Sequence, residues 1–397
     1  MKYKYIYFIA IIFLNIDGIF GKKMSISLLE QEQVKSEDCK EMTLTPNSEN
    51  VKFIGRFYIK DEITWLVLSG SSIEFYLTGK SAEINLAGDN SAIYLAEDQR
   101  PRYAIYVDDK QLIDTTMGEL EKTIELFNNP EEKEIKIRII LLSEGSHGPI
   151  GIKNVKVNSC SQKVIRPSEH KKFRIEYIGD SITCAYGIEC ASTSEPFQTT
   201  TQNFEKSYAY LSAQELDADY SGVCYSGSGV AGGGSQMPDH YTKTNAFTSY
   251  NEEWDFTKFP NDVVLINLGT NDSGYAAESK HDKYIQKYAS FLELIRKKNP
   301  NAYIVCTLGM MGCENLFPLI EKAISLLGDE KISSFLLPQQ KIEDGIGSQY
   351  HPNAVTHAKA GKIVAEKIRE ILKINNWKFK YCQINKTNFR VIKNYKI

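Results

Sequence analysis

One serine near the middle of the chain has the surroundings of a nucleophile. The apolar run Phe173–Ile178 has the composition of a buried strand and leads directly into Gly179-Asp180-Ser181. In open α/β sheets ligands bind beyond the carboxyl ends of the strands, and a backbone N–H that starts the next turn stabilises negative charge there. Ser181 is therefore a candidate for acyl transfer. Three residues alone are a weak motif, and Asp180-Ser181 could instead cap a helix.

Two later blocks contain groups that could stabilise an oxyanion. The glycine-rich segment 225–234 follows another short apolar run, and glycine lets a backbone N–H approach a ligand closely. Gly269-Thr-Asn-Asp272 follows a third apolar run, and the amide of Asn271 could donate a hydrogen bond to an oxyanion. Ordinary turn chemistry is the alternative interpretation of both blocks.

A fourth block supplies a candidate base. His351 lies on a predicted loop directly before the long amphipathic run Ala354–Ile374. An imidazole with a pKa near 6.5 can act as a base at neutral pH, and a loop leaves its ring free to reach another element. A lone histidine is usually structural, so the prediction depends on all four blocks occurring in order.

Strand-like and helix-like runs alternate over residues 171–374. The strand-like runs are Phe173–Ile178, Asp219–Tyr225, Asp262–Leu268 and Ala302–Leu308, and the helix-like runs are Ser207–Leu216, Lys283–Lys298, Leu316–Leu327 and Ala354–Ile374. This alternation predicts a parallel sheet with helices on both faces. Three of the four candidate blocks then lie at the carboxyl ends of strands.

A β-rich region precedes the α/β region. Between residues 51 and 159, about eight short runs alternate apolar and polar residues, and turn signals separate them. This pattern predicts an antiparallel sandwich over residues 40–160. The polar segment Ser159–His170 contains Pro167 and is the predicted domain boundary.

The two ends of the chain have their own character. Lys2 and Lys4 flank the start of an apolar run that ends near Leu14, and its length of about ten residues is far short of the roughly 20 that span a bilayer. We predict a cleaved secretory signal over residues 1–23 and no membrane span after cleavage. An uncleaved anchor is the alternative. Residues 375–397 are predicted to form a polar, basic tail.

Eight cysteines suit an oxidising, secretory route. The candidate pairs are Cys39 with Cys160, Cys184 with Cys190, and Cys306 with Cys313. The sequence leaves the pairing open, and Cys224 lies in an apolar run typical of a buried free thiol. No C-x-x-C and no matching histidine spacing occurs, so we predict no zinc site. Acyl transfer by a serine and a histidine requires no cofactor, and we predict none.

Composition and charge exclude several classes of protein. The 397 residues are 42% hydrophobic and 24% charged, as in ordinary globular chains of about two domains. The 47 Lys and Arg residues against 50 Asp and Glu residues give a net charge of −3. Without a basic excess there is no footprint for a phosphate backbone, so we predict no nucleic-acid partner.

The four blocks together resemble the SGNH (GDSL-type) hydrolase superfamily over residues 172–374. The first block matches Gly179-Asp180-Ser181, the second the glycine turn around Gly229, and the third Gly-x-Asn-Asp at 269–272. The preceding region, with Val51–Phe57, is similar to the jelly-roll domain of carbohydrate esterase family 2. The resemblance implies a jelly-roll sandwich followed by a flavodoxin-like α/β hydrolase domain, and O-deacetylation of plant polysaccharides such as xylan or glucomannan.

The resemblance also implies the roles of individual residues. Ser181 would be the nucleophile and His351 the base, with the N–H groups of Ser181 and Gly229 and the Asn271 amide as oxyanion donors. The aromatic residues Trp254, Tyr275 and Tyr350 are candidates for stacking on sugar rings, although core packing is the alternative for each.

The last block departs from the family pattern, because Ser348 stands where an acidic residue normally precedes the histidine by three positions. Members of the family with a Ser–His dyad use a backbone carbonyl to orient the imidazole, and Asp344, reaching back through a loop bend, is the alternative.

Two other functions stay open on the sequence alone. A lipase or lysophospholipase could use the same scaffold, and it would need an apolar acyl channel. A binding protein could use the β region as a carbohydrate-binding module beside a hydrolase domain that has lost its activity. The sequence favours a secreted acetyl esterase acting on an acetylated polysaccharide or oligosaccharide, and it does not distinguish release from retention at the cell surface.

Overall fold

The computed structural model describes residues 39–373. The predicted signal over residues 1–23 and the predicted tail over residues 375–397 lie outside the described residues. Among residues 39–373, none of the helices combines the length and the apolar character that crossing a membrane requires.

The first half of the described chain is an antiparallel β domain, as predicted. Its strands are β1 (Lys40–Leu44), β2 (Lys52–Ile54), β3 (Phe57–Lys60), β4 (Ile63–Leu66), β5 (Ser72–Ala87), β6 (Arg102–Val107), β7 (Lys110–Thr116), β8 (Glu121–Leu141), β9 (Ile150–Ser159) and β10 (Ile165–Pro167). They form one hydrogen-bonded sheet along the path β3-β4-β9-β5-β8-β6-β7, with β1 on β9 and with β2 and β10 on β5. A short helix, α1 (Asn90–Tyr94), follows β5. The inward side chains form a core of their own that includes Phe75, Ile84 and Ile137.

The short strands predicted at Ser72–Leu77 and Ala82–Leu86 are the single long strand β5, and those predicted at Lys122–Leu126 and Glu134–Leu142 are the single long strand β8. The turn-like residues around Gly79 lie inside β5, where the register with β8 shifts between Gly79 and Ser81. A Cβ on Gly79 would lie 2.6 Å from a methyl carbon of Val157, so glycine here permits close packing against β9 rather than a chain reversal. The sequence signal for a turn is therefore a β-bulge.

The end of the β domain also differs in detail from the prediction. The polar segment predicted as the domain boundary contains a strand, β10, which pairs with β5 through Ile165 opposite Leu77. A disulfide joins Cys39 to Cys160 and ties β1 to the end of β9.

The other four candidate cysteines are free thiols, and so is Cys224, which is buried. Cys190 donates to Thr201 Oγ1 and Cys313 to the carbonyl oxygen of Thr270. The short spacings in sequence therefore do not correspond to disulfides.

The second half is a doubly wound α/β domain. Its parallel strands are β11 (Phe173–Gly179), β12 (Ala218–Cys224), β15 (Val263–Asn267), β16 (Tyr303–Leu308) and β17 (Ile332–Leu336), and a small separate pair comprises β13 (Ser228–Gly229) and β14 (Ser235–Gln236). The strand order is β12-β11-β15-β16-β17. Strand β12 is added on one side of β11, and β15, β16 and β17 are added on the other, so the strand order reverses its direction between β11 and β15. In this kind of sheet, that switch point is where ligands bind.

Helices cover both faces of the parallel sheet. They are α2 (Tyr208–Glu215), α3 (Met237–His240), α4 (His281–Lys298), α5 (Phe317–Leu327) and α6 (Ala354–Ile371). Val264 and Ile266 pack with Leu292 of α4 on one face, and Val263 and Leu265 pack with Val364 of α6 on the other. Strands buried on both faces explain the continuous apolar runs in the sequence. Helix α6 ends at Ile371, before the predicted end at Ile374.

The two domains are joined by ion pairs of one polarity. The β domain supplies the cation and the α/β domain the anion in Lys52–Asp219 (2.5 Å), Arg56–Glu176 (3.3 Å), Arg102–Glu189 (2.6 Å) and Arg138–Glu205 (2.7 Å). The first two pairs have side chains that are at most 2% exposed. Loss of one partner would leave a buried charge without compensation, so each domain depends on the other.

Candidate active site

Ser181 lies at the carboxyl end of β11, which lies between β12 and β15 in the parallel sheet. Gly179 ends the strand, and a Cβ there would lie 1.9 Å from Thr183 Oγ1, so only glycine allows the chain to turn so sharply. Asp180 Oδ1 accepts a hydrogen bond from the N–H of Ile182 at 2.9 Å, and the Ser181 carbonyl accepts one from Tyr186 at 3.0 Å. Ser181 therefore sits on a tight turn that its own neighbours fix, and we call residues 180–186 the nucleophile turn.

His351 meets Ser181 across 170 positions of sequence. The Nε2 atom of His351 lies 2.8 Å from Ser181 Oγ, and its Nδ1 atom lies 3.1 Å from the carbonyl oxygen of Ser348. A carbonyl oxygen can only accept, so the ring proton is on Nδ1 and Nε2 is free to accept the serine proton. Burial lowers the pKa of His351, and hydrogen bonds with the backbone at Ser348 and Gln349 oppose this effect in part.

The loop before His351 is held in an unusual conformation. Gln349 and Tyr350 have φ values of 47° and 65°, and residues other than glycine rarely adopt this left-handed backbone conformation. This turn brings the Ser348 carbonyl back onto the imidazole. The N–H of Gln349 donates to the Thr193 carbonyl at 3.1 Å, and the buried Ser348 hydroxyl donates to the Glu195 carbonyl at 2.6 Å.

No carboxylate takes the position of the missing acid among the partners of His351 in the described chain. Asp344, the alternative from the sequence, lies 2.5 Å from Lys359 Nζ. Its backbone carbonyl accepts from Asn353, whose own side chain caps the start of α6. Asp344 therefore braces the loop before α6 instead of touching the imidazole.

The glycine loop, residues 225–234, lies beside the nucleophile turn. Asn271 Nδ2 is 3.0 Å from the Ser228 carbonyl oxygen and 3.1 Å from Asp180 Oδ2, so its amide links this loop to the nucleophile turn. Both amide hydrogens have acceptors within the protein, and donation to an oxyanion would exchange one of them. Burial raises the pKa of Asp180 to about 7, and the nearby carboxylates of Asp272 and Glu144 add to the rise.

Asp272 has a role that the sequence reasoning missed. Its buried carboxylate accepts hydrogen bonds from three successive backbone N–H groups of the glycine loop, at 2.9, 2.8 and 2.6 Å (Val230, Ala231 and Gly232). A Cβ on Gly229 would lie 2.7 Å from Asp272 Oδ1. Asp272 was expected to stabilise its own turn, and it instead accepts hydrogen bonds from a loop some 40 residues earlier in the chain. Only its place directly after Asn271 could have suggested this role.

The three aromatic residues predicted to bind sugar have different surroundings. Tyr350 is 65% exposed and precedes His351, so its ring is open to a substrate. Tyr275 is half-buried and donates through its hydroxyl to the Ala231 carbonyl at 3.0 Å. Trp254 is 5% exposed and packs at 5.7 Å from the ring of Phe57. The structure does not bring Trp254 to the Ser181–His351 pair, and so little exposure leaves no open face for stacking.

Two aromatic residues that the sequence did not single out lie beside His351: Tyr186 contacts its ring, and Phe197 contacts Tyr186. The ring of Tyr186 lies 4.3 Å from that of His351, and the ring of Phe197 stacks on the far side of Tyr186 at 4.2 Å. The Tyr186 hydroxyl donates to Gln349 Oε1 at 3.0 Å. Tyr186 is the last residue of the nucleophile turn, which is the only local signal for its role, and Phe197 has no such signal.

The arrangement is suited to acyl transfer. A hydroxyl, a neutral imidazole that can accept its proton, and backbone N–H groups at a turn are the parts that such chemistry needs. Within residues 39–373, no group of three or more His, Cys, Asp or Glu side chains is placed to hold a metal ion. A mechanism without a cofactor stays a prediction.

Both halves of the chain match known families. Residues 177–330 match the GDSL-like lipase/acylhydrolase family, and residues 53–167 match the carbohydrate esterase 2 N-terminal family. The cellulase/esterase CelE of Acetivibrio thermocellus is 32% identical over 225 residues, which are 54% of this chain and 27% of that protein. An acetylxylan esterase/glucomannan deacetylase of Cellvibrio japonicus is 26% identical over 286 residues, 69% of this chain and 75% of that protein. The chain thus spans about a quarter of the first relative and three quarters of the second.

Solved structures share the two-domain fold. An acetyl xylan esterase (Est2A) from the rumen bacterium Butyrivibrio proteoclasticus superposes with a TM-score of 0.75 at 23% identity, over 84% of this chain and 99% of that one. A family two carbohydrate esterase from Clostridium thermocellum, in complex with cellohexaose, gives 0.71 at 25% identity, over 81% and 99%.

Proposed function

Because the chain joins a carbohydrate esterase 2 N-terminal domain to a GDSL-like lipase/acylhydrolase domain, we propose that it is a secreted esterase that removes acetyl groups from plant polysaccharides such as xylan or glucomannan. The observation that carries the proposal is the 2.8 Å contact between His351 Nε2 and Ser181 Oγ, at the switch point of the parallel sheet. The names of the curated relatives support the choice of substrate.

The first half-reaction forms an acetyl-enzyme. Ser181 Oγ attacks the carbonyl carbon of the acetyl ester while His351 Nε2 takes the hydroxyl proton. Negative charge develops on the carbonyl oxygen, where the N–H groups of Ser181 and Gly229 and the amide of Asn271 would donate. One such donor contributes about 2.7–4 kcal/mol of transition-state stabilisation. When the tetrahedral intermediate collapses, the sugar oxygen leaves and takes the proton from His351.

The second half-reaction releases acetate. A water molecule gives a proton to His351 Nε2 and attacks the acetyl carbon, and the Ser181 oxygen then leaves and recovers the proton. The Ser348 carbonyl opposite Nδ1 favours the protonated imidazole in both halves, which is the service that an acidic residue gives in a triad. A carbonyl dipole stabilises the protonated imidazole less than a full negative charge would. Burial of the His351 ring and its contact with the Tyr186 ring keep it in the same orientation.

The chemical test compares acyl groups and polymers. We expect acetate release from acetylated xylan or acetylated glucomannan, and faster turnover of 4-nitrophenyl acetate than of 4-nitrophenyl octanoate. Preference for the octanoyl ester without acetate release would instead indicate a lipase-type enzyme. Binding to the polymers without release of acetate would indicate a carbohydrate-binding protein.

Secretion is a separate part of the proposal. The basic and apolar pattern of residues 1–23 supports it, and the Cys39–Cys160 disulfide suits an oxidising compartment. Expression of the full chain in a secreting host should place the protein in the medium, with an N-terminus at about residue 24 in mass spectrometry. Retention of the intact N-terminus in the membrane fraction would favour the uncleaved anchor.

A further inference from the structure

A buried carboxylate of the β domain reaches the glycine loop of the α/β domain. Glu144 follows β8 and is 3% exposed. Its Oε1 atom accepts from the N–H of Ser226 at 3.0 Å and from the hydroxyl of Ser146 at 2.9 Å, and its Oε2 atom accepts from the hydroxyl of Ser226 at 2.5 Å. Both carboxylate oxygens therefore accept hydrogen bonds, and Ser226 donates to the carboxylate through both its backbone N–H and its hydroxyl.

Glu144 differs from the other carboxylates at the domain boundary. Glu176, Glu189 and Glu205 each pair with an arginine of the β domain, whereas within residues 39–373 no ion pair includes Glu144. A buried carboxylate without a counter-ion costs free energy, and substitution by a neutral group would relieve that cost. Stability alone therefore does not explain a glutamate here.

The backbone of Glu144 is tied to the nucleophile turn. Its N–H donates to Gln202 Oε1 at 2.9 Å, and Gln202 Nε2 donates to the Cys184 carbonyl at 3.1 Å. Gln202 is fully buried. Glu144 thus links two parts of the site. Its backbone N–H is connected through Gln202 to the nucleophile turn, and its carboxylate accepts hydrogen bonds from Ser226 at the start of the glycine loop.

The glycine loop is then fixed at both ends by a carboxylate. Glu144 holds Ser226 at the start, and Asp272 holds residues 230–232 at the end. Between these two anchors lie Ser228, whose carbonyl accepts from Asn271, and Gly229. A segment with so many glycines has little conformational preference of its own, so the anchors decide where the Gly229 N–H points.

From these contacts we infer that Glu144 is a positioning residue for the oxyanion-binding loop, supplied to the active site by the β domain. The inference rests on the proposed function, since it assumes that the Gly229 region stabilises an oxyanion. The β domain would then be part of the catalytic apparatus rather than an appended carbohydrate-binding module. Glu144 acts through Ser226 and has no contact with the reacting atoms in this account.

The test separates positioning from folding. In Glu144→Gln the amide keeps one acceptor oxygen and faces the other Ser226 donor with an N–H₂ group. We expect kcat for 4-nitrophenyl acetate to fall about tenfold or more with little change in KM, and affinity for phenylboronic acid, which forms a tetrahedral adduct on serine, to fall in parallel. Amide hydrogens of residues 225–234 should exchange faster. Ser226→Ala, which removes one of the two bonds, should give a smaller change in the same direction.

Glu205→Gln is the matched control, since Glu205 is a carboxylate at the same boundary that bonds Arg138 and not the glycine loop. It should lower the melting temperature and leave boronate affinity unchanged. Wild-type kcat and boronate affinity in both Glu144→Gln and Ser226→Ala would overturn the inference while the esterase assignment stands. A wild-type protein that neither hydrolyses the ester nor binds boronate would overturn the proposed function. Amide hydrogen exchange would then test the positioning role by itself: faster exchange of residues 225–234 in Glu144→Gln would support that role, and unchanged exchange would overturn it.

Discussion

The Nδ1 atom of His351 lies 3.1 Å from the carbonyl oxygen of Ser348, three positions earlier in the same turn. The imidazole is thus oriented by its own loop and not by a carboxylate from another part of the chain. The left-handed backbone of Gln349 and Tyr350 makes this contact possible, and hydrogen bonds from residues 348 and 349 to the carbonyls of Glu195 and Thr193 hold the turn in place.

The first prediction concerns the missing acid. Asp344→Asn should leave kcat essentially unchanged, because the Asp344 carboxylate bonds Lys359 and not His351. Steady-state kinetics on 4-nitrophenyl acetate provide the measurement. Loss of a true triad acid reduces kcat by roughly four orders of magnitude, and a loss approaching that size would mean that Asp344 orients the imidazole after all.

The second prediction concerns pH. Burial lowers the pKa of His351, and the reaction needs the neutral ring, so kcat/KM should rise with pH to a plateau with a midpoint below 6.5, the usual histidine value. Asp180, with a pKa raised to about 7 mainly by burial, also titrates near neutrality. The variant Asp180→Asn lacks this carboxyl group, and the midpoint of its pH profile should still lie below 6.5. A midpoint above 6.5 in both proteins would show that the imidazole is not desolvated as described.

The third prediction concerns the glycine loop. Gly229→Ala should reduce kcat by about 10²–10³, the loss expected when one oxyanion donor is displaced, because the new methyl would lie 2.7 Å from Asp272 Oδ1. That carboxylate is held by three N–H groups and cannot give way cheaply.

Gly274→Ala is the control for Gly229→Ala, since a Cβ at residue 274 meets nothing within 4 Å. It should behave as wild type in the same assay. Equal activity of the two variants would show that the position of the Gly229 N–H is not important for the reaction.

The fourth prediction concerns the joint between the domains. Glu176→Gln should lower the free energy of unfolding by about 3–5 kcal/mol, because it leaves the buried Arg56 without its charged partner. Glu121→Gln, in the exposed pair with Lys153, should change it by no more than about 0.5 kcal/mol. Urea unfolding of both variants gives the comparison, and similar midpoints would contradict the dependence of each domain on the other.

Much of the fold could be predicted because its signals are local. Apolar runs that end in Gly-Asp-Ser or Gly-Thr-Asn-Asp indicate strand ends, and strands of a parallel sheet place those ends at one edge. This is why the sequence brings Ser181 and Asn271 to the same place. The predicted α/β and antiparallel β classes are confirmed, with β17 added to the predicted strands.

The parts that could not be predicted depend on contacts between distant segments. Glu144, Asp272 and Tyr186 contact residues that lie far away in sequence. Their own sequence neighbours place Asp272 and Tyr186 near the site but do not indicate the residues that they contact. The same holds for Trp254, whose type suits sugar stacking but whose position between the domains buries it. At Gly79 the sequence predicts a turn between two short strands, and the structure has a β-bulge within one strand. Glycine is favoured in both, so its presence does not distinguish them.

In the proposed reaction Ser181, activated by His351, removes acetyl groups from polysaccharide. The direct measurement is acetate release from acetylated xylan and acetylated glucomannan by the wild-type protein and by Ser181→Ala, with thermal unfolding of both. We expect release by the wild type on at least one polymer, no detectable release by Ser181→Ala, and equal melting temperatures. Release at the wild-type rate by a folded Ser181→Ala protein would contradict the proposed reaction.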